Sequence, residues 1–138
     1  MSVSAPGVVE LNQVLADTPF LQSYGFRVEA AQHGECNLIV PYQASLERPG
    51  GIVSGMTLMG AADVAMWLAI MTLRGVAERW VTTDMKTAFL KSARGEDIGC
   101  SARVLKTGTR TMYGTAECRS KAGELLAHHV LTYARVEA

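Results

Sequence analysis

Residues 49–73 read PGGIVSGMTLMGAADVAMWLAIMTL, and they contain a single charged side chain, that of Asp63. Ser54 is a suitable N-cap and Gly75 a suitable end for one long helix through this stretch. A helix that is apolar on every side is expected to be buried by the rest of its own protein. A carboxylate in such a helix is costly to bury unless it is paired or has a function. Asp63 is therefore the first candidate for a functional residue.

The same stretch has the length of a membrane-spanning helix, which needs about 20 apolar residues. Four glycines lie between Pro49 and Asp63, and Asp63 falls near the middle of the stretch, where a charge costs about 2.5–3.5 kcal/mol on insertion scales. We therefore expect a helix buried within the protein and no membrane partner. The first residues, MSVSAPGVVELNQ, lack the basic and apolar regions of a signal peptide.

Composition predicts a single domain, residues 1–138, located in the cytoplasm. The 13 Lys and Arg residues balance the 13 Asp and Glu residues, so net charge gives no indication of a nucleic-acid partner. Cys36, Cys100 and Cys118 are odd in number and form no CxxC pair, which is typical of reduced thiols in the cytoplasm. The sequence has no His/Cys cluster, GxGxxG, P-loop or GxSxG motif. We therefore expect neither a metal nor a separate cofactor.

The remaining segments predict one short helix and six strands. The helix lies near residues 8–16, two strands lie near 26–31 and 35–42, and four follow the long helix near 80–90, 98–106, 110–119 and 125–136. Strict alternation puts five side chains of the strand near 80–90 on one face: Val81, Thr83, Met85, Thr87 and Phe89. A later strand presents small residues, Gly114 and Ala116, where a helix could approach closely. The order predicts an α+β domain with an antiparallel sheet wrapped around one long central helix.

Two runs of sequence resemble a known family. VSGMTLMGAADVAM at residues 53–66 and VTTDMKTAFLKSA at 81–93, together with the element order, are similar to the hot-dog-fold acyl-CoA thioesterases of the phenylacetate-degradation type. RPGG-x-VSG at residues 48–55 resembles an uncharacterised subgroup of hot-dog proteins. In the thioesterases the helix opens with His-Gly-Gly, and a catalytic acid follows nine residues after the His.

The resemblance covers the chain from about Leu11 and implies specific roles. Asp63 matches the catalytic acid and Gly55 the first Gly of the motif, whereas Ser54 and Met56 stand where the family has His and the second Gly. Arg48 stands where the family often has Asn. The implied reaction is hydrolysis of an acyl-CoA thioester to a free acid and coenzyme A, which would be part of the substrate rather than a bound cofactor.

Chemistry assigns these two residues different tasks. Asp63 is a candidate general base or nucleophile, and the free N–H of Gly55 at the helix start can polarise the thioester carbonyl. Eight residues separate them, about 12 Å along a helix, so one thioester carbon cannot reach both on the same helix. We therefore expect a homodimer whose antiparallel helices share two sites, alone or as a homotetramer built from two dimers.

Further site residues are less strongly indicated. The family often has a Ser or Thr in the strand after the helix; alignment favours Thr82, whereas strict alternation turns Thr83 inward unless a bulge intervenes. Coenzyme A is anionic and needs basic groups at the pocket mouth. The candidates for substrate binding are Arg48, Ser54, Met56, Thr83, Lys91, Arg94, Lys106 and Arg110.

Two other functions fit the same fold. The absent family His and Asn favour a non-catalytic hot-dog domain that binds an acyl or aromatic ligand. A hot-dog hydratase or dehydratase is less favoured, because such enzymes usually pair a His with an acid and residues 49–73 contain neither His nor Glu.

Overall fold

A computed structural model describes residues 5–137. These described residues form two helices and eight strands, with 3₁₀ turns at Pro19–Leu21 and Ala44–Leu46. The helices are α1 (Val8–Ala16) and α2 (Gly55–Arg74). The strands are β1 (Arg27–Gln32), β2 (Glu35–Val40), β3 (Glu47–Arg48), β4 (Ile52–Val53), β5 (Arg79–Phe89), β6 (Ile98–Thr107), β7 (Thr111–Arg119) and β8 (Leu125–Val136).

Six strands form one antiparallel sheet in the order β1-β2-β6-β7-β8-β5, and β3 pairs with β4 in a separate ribbon. The sheet wraps around α2, which confirms the predicted α+β architecture. α2 begins and ends where the sequence indicates. The Ser54 hydroxyl accepts a hydrogen bond from the Met56 amide at 3.2 Å, and Gly75 ends the helix with a φ of 82°.

α2 has the length and composition of a membrane span, with a mean hydropathy of 1.6 in its most apolar window. However, 67% of that window is buried inside the protein, as expected for a core helix. Close packing against the sheet depends on small residues. A Cβ atom on Gly114 of β7 would lie 2.6 Å from Cε of Met66 and 2.3 Å from the carbonyl oxygen of Arg103. Glycine is therefore needed where α2 crosses β7.

β5 departs from the predicted alternation. Its register against β8 shifts between Thr82 and Asp84, so a bulge at Thr83 interrupts the period of two. Trp80 and Thr82 face α2, whereas Val81 and Thr83 are exposed. Strict alternation was thus wrong for the first half of β5. The Thr83 hydroxyl donates to the Thr132 carbonyl at 3.2 Å instead of facing the helix.

The two edges of the sheet differ. At the β1 edge, the Asn12 side chain accepts from the Val28 N–H at 2.8 Å and donates to the Val28 carbonyl at 3.0 Å, so it occupies the positions of a neighbouring strand. At the opposite edge, the 11-residue β5 pairs only with β8 among the described strands. An unprotected edge of this length is a template for pairing with another chain.

Candidate active site

Asp63 lies half-buried on α2, facing the adjacent strands β5 and β8. Thr82 of β5 donates a hydrogen bond from Oγ1 to Asp63 Oδ1 at 2.5 Å. Tyr133 of β8 also places its hydroxyl 2.5 Å from Oδ1, and the same hydroxyl lies 2.7 Å from the main-chain carbonyl of Asp63. Thr82 and Tyr133 are paired across the two strands. The cross-strand pair of Thr82 and Tyr133 therefore holds the Asp63 carboxylate in position.

Tyr133 was not among the residues singled out from the sequence. It is only 3% exposed, and burial, followed by the negative charge of Asp63, raises its pKa above the ordinary value for tyrosine. A buried tyrosine hydroxyl needs a hydrogen-bond partner. That requirement, applied to a tyrosine in the last strand, is the sequence signal that could have identified it.

Asp63 borders a cavity of about 590 Å³, the Asp63 cavity. Most of its lining is apolar or aromatic: Phe20, Val64, Trp67, Met71, Val76, Ala77, Trp80 and Val81. Glu78 and Arg79 add charge. Glu78 is already paired, at 2.6 Å with Arg74 and at 3.2 Å with Arg135. A lone half-buried carboxylate beside a large apolar space is the usual pattern of a small-molecule site.

Gly55 borders a different cavity of about 460 Å³, the Gly55 cavity, together with Arg48, Phe89 and Lys91. No described residue accepts a hydrogen bond from the Gly55 N–H, as expected in the first turn of a helix. The Phe89 ring packs on the Gly55 backbone so closely that a Cβ atom there would lie 3.0 Å from it. The absence of a side chain leaves space for this ring.

The predicted substrate-binding residues lie in four places. Arg48 and Lys91 line the Gly55 cavity, and Lys91 forms an ion pair with Glu124. Arg94 lies near this cavity and donates to the Gly50 carbonyl at 2.8 Å. Ser54 and Met56 lie in the first turn of α2, the former as N-cap and the latter 79% exposed. Thr83 lies at the bulge. Lys106 and Arg110 are exposed at the β6–β7 hairpin and line neither cavity.

One face of α2 is left uncovered in the single chain. Met56, Met59, Gly60, Asp63 and Trp67 are the residues between positions 56 and 67 that are not buried, and their three- and four-residue spacing places them on one stripe. We call this stripe the open face of α2. It is apolar except for Asp63, and a Cβ atom at Gly60 would meet nothing within 4 Å. Gly55 lies just before the first residue of this open face, and Asp63 lies within it.

The histidines and cysteines take no part in either cavity. His129 is fully buried between Thr87, 2.7 Å from Nδ1, and Cys118, 3.4 Å from Nε2. Cys36, Cys100 and Cys118 are all buried and unpaired. Among residues 5–137, no three His, Cys, Asp or Glu side chains form a cluster suited to a metal ion.

The model of the thioesterase superfamily matches residues 50–127, more than half of the chain. The chain belongs to the thioesterase superfamily. Two similar proteins, each named "Putative esterase", come from Saccharolobus solfataricus and Halobacterium salinarum. The first is 30% identical over 75% of this chain and 68% of its own length. The second is 33% identical over 73% of this chain and 68% of its own length.

A solved structure gives the same family relationship. Thioesterase superfamily member 2 of zebra fish is 27% identical, and its match covers 99% of this chain and 100% of that chain with a TM-score of 0.83. The similarity confirms the hot-dog fold. As a member of the thioesterase superfamily, the protein has thioester hydrolysis as its best-supported general activity. The resemblance to the phenylacetate type and to the RPGG-x-VSG subgroup stays a prediction.

Proposed function

We propose that the protein hydrolyses acyl-CoA thioesters and that Asp63 is the general base or the nucleophile. The observation that carries this proposal is the carboxylate of Asp63, which the hydroxyls of half-buried Thr82 and buried Tyr133 hold at the wall of a large, mainly apolar cavity. An acyl group fits such a cavity. A fixed carboxylate beside it is suited to activating water or attacking a carbonyl carbon.

Two copies of the chain are needed to complete the site. Gly55 and Asp63 line different cavities of one chain and lie about 12 Å apart along α2. A second α2 running antiparallel on the first would bring the Gly55 of each copy to the Asp63 of the other. The partner is thus another copy of this chain, as a dimer or within a dimer of dimers.

The open face of α2 supports this pairing. Its exposed Met56 and its neighbours Met59 and Trp67 supply apolar surface that contact with another helix would remove from water. Gly60 lies close to the midpoint between Gly55 and Asp63, where a two-fold axis would cross the helix, and its missing side chain permits close approach. The unpaired edge of β5 adds backbone groups for the same contact.

The reaction follows from these positions. Asp63 removes a proton from water, which attacks the thioester carbon, or its carboxylate attacks directly and water then cleaves the mixed anhydride. The partner's Gly55 N–H stabilises the negative charge that develops on the carbonyl oxygen. The carbon–sulfur bond breaks and the departing coenzyme A sulfur takes up a proton.

We assign the coenzyme A part of the substrate to the Gly55 cavity. Its phosphates require cations, and Arg48 and Lys91 lie in the lining of this cavity with Arg94 close by. Lys106 and Arg110 are at the distant hairpin and have no part in this proposal. The acyl group would extend from the shared thioester into the Asp63 cavity.

A second candidate function is non-catalytic binding of an acyl ligand. Two differences from the family that the sequence resembles favour it. Ser54 stands where that family has His, and Arg48 stands where it often has Asn. In the structure Ser54 is an N-cap, a role that leaves its hydroxyl engaged with the helix backbone. The two functions predict different fates for the same ligand.

Thiol release from acetyl-, hexanoyl-, palmitoyl- and benzoyl-CoA separates the two functions. We expect catalytic release from at least one substrate, with saturation kinetics. 4,4′-Dithiodipyridine can report the product, because the three cysteines of the protein are buried. Saturable binding of these compounds with no release above the buffer rate would contradict the thioesterase proposal and favour the binding protein.

The Gly55 amide can be tested by Gly55→Pro. Proline is tolerated at the first helical position and removes the N–H, although its Cβ atom would lie 3.0 Å from Phe89. Ser54 already has the extended conformation that precedes proline, with φ −58° and ψ 137°. We expect kcat to fall about 10²–10³-fold, the usual effect of losing one oxyanion donor.

Gly55→Ala is the matched control for this substitution. It adds the same Cβ atom against Phe89 but keeps the N–H, so its kcat is expected to stay well above that of Gly55→Pro. Equal losses in the two variants, with unchanged melting temperatures, would mean that contact with Phe89 rather than the amide matters.

A further inference from the structure

We infer that Tyr133 is a positioning residue for the proposed thioesterase reaction: it holds Oδ1 of Asp63 so that Oδ2 is the oxygen that reacts. This inference rests on the proposed function and assigns different roles to the two carboxylate oxygens. It assigns a role to a residue 70 positions after Asp63, outside both runs of sequence that resemble the family.

The hydrogen bonds distinguish the two oxygens. Thr82 and Tyr133 both contact Oδ1 at 2.5 Å. Within residues 5–137, no hydrogen bond to Oδ2 is formed. Two donors lower the electron density and restrict the approach at Oδ1, while Oδ2 keeps its lone pairs available. As base or as nucleophile, the carboxylate would therefore act through Oδ2.

The Tyr133 hydroxyl has one proton and two acceptors within reach. It lies 2.5 Å from Oδ1 and 2.7 Å from the main-chain carbonyl of the same Asp63. A bond to an ionised carboxylate is the stronger of the two, so Tyr133 stabilises Asp63 most when Asp63 is charged. When the carboxylate is protonated, the hydroxyl can turn to the carbonyl and remain satisfied. The Tyr133 hydroxyl thus keeps a hydrogen-bond acceptor on Asp63 in either case.

Tyr133 is suited to remain a donor throughout the reaction. Burial and the nearby Asp63 charge raise its pKa, so it keeps its proton at neutral pH. The other charged groups lining the cavity are Glu78 and Arg79. Glu78 already pairs with Arg74 of α2 and Arg135 of β8, which leaves the Asp63 carboxylate to its two hydroxyl donors.

Tyr133→Phe tests the inference, since it removes only the hydroxyl. The measurement is kcat and KM, determined separately for the best acyl-CoA substrate of the panel above. We expect kcat to fall about tenfold, the effect of losing one hydrogen bond to a charged group, while KM stays unchanged because phenylalanine keeps the ring that lines the Asp63 cavity. Tyr113→Phe, an exposed tyrosine of β7, is the matched control and is expected to leave both constants unchanged.

A wild-type kcat in folded Tyr133→Phe, or a loss of kcat accompanied by a higher KM and a lower melting temperature, would overturn the inference, because a purely structural role would disturb substrate binding and stability as well as the rate. If Tyr133→Phe fails to fold, Thr82→Val removes the other Oδ1 donor, with Thr111→Val, an exposed threonine of β7, as control; a wild-type kcat in Thr82→Val would equally overturn it. Full activity in Asp63→Asn would instead refute the proposed function itself.

Discussion

Replacing Asp63 with Asn is expected to reduce kcat/KM for acyl-CoA hydrolysis by about 10²–10⁴-fold, the range for losing a general base. The amide has nearly the shape of the carboxylate, and its oxygen can still accept bonds from Thr82 and Tyr133. It can neither take a proton from water nor form a mixed anhydride. Both mechanisms proposed for Asp63 therefore predict the same loss. Steady-state kinetics of the folded variant measures it.

Asp84→Asn provides the matched control for this prediction. Asp84 lies on β5 immediately after the bulge, but its side chain is exposed and lines neither cavity. We expect the activity of this variant to equal that of the wild-type protein. A folded Asp63→Asn protein that keeps its rate would show that the carboxylate is structural, and the catalytic proposal would then fail.

The central helix was predictable because its signals are local. An N-cap at Ser54, a terminating Gly75 and an uninterrupted apolar run define its ends, and the structure confirms them. The last strand was predicted with the observed bounds Leu125–Val136, since alternation persists through it. Contacts within a few residues decide these elements, and a single sequence records such contacts.

The bulge in β5 could not be predicted in the same way. Thr82 and Thr83 are identical side chains at neighbouring positions, and their own sequence does not say which faces α2. The choice depends on register against β8, a strand about 50 residues later in the chain. Once the bulge is placed, Thr82 faces Asp63 and Thr83 faces outward.

The residues of the candidate site also differ in whether the sequence alone could predict them. Asp63 was conspicuous because it is the only charged residue in the apolar run of residues 49–73. Tyr133 had no comparable signal, since only the pairing of β5 with β8 and the packing of both on α2 bring it to Asp63. Lys106 and Arg110 are candidates for binding coenzyme A because they are basic and flank a turn. The sequence does not show at which end of the sheet that turn lies.

Mixing two inactive variants is expected to restore activity. If each site takes Asp63 from one protomer and Gly55 from the other, a heterodimer of Asp63→Asn with Gly55→Pro contains one site with both defects and one site with neither. Symmetry of the pair then predicts about half of the wild-type activity per dimer. Co-expression with two different affinity tags and tandem purification isolates this species.

The control is a doubly tagged dimer with Asp63→Asn in both protomers, which has no intact site and should stay inactive. Thioester hydrolysis by the purified Asp63→Asn/Gly55→Pro heterodimer is the most direct test of a site shared by two chains. A shared site predicts a rate near half that of the wild-type protein. A heterodimer no more active than its two parent variants would contradict it.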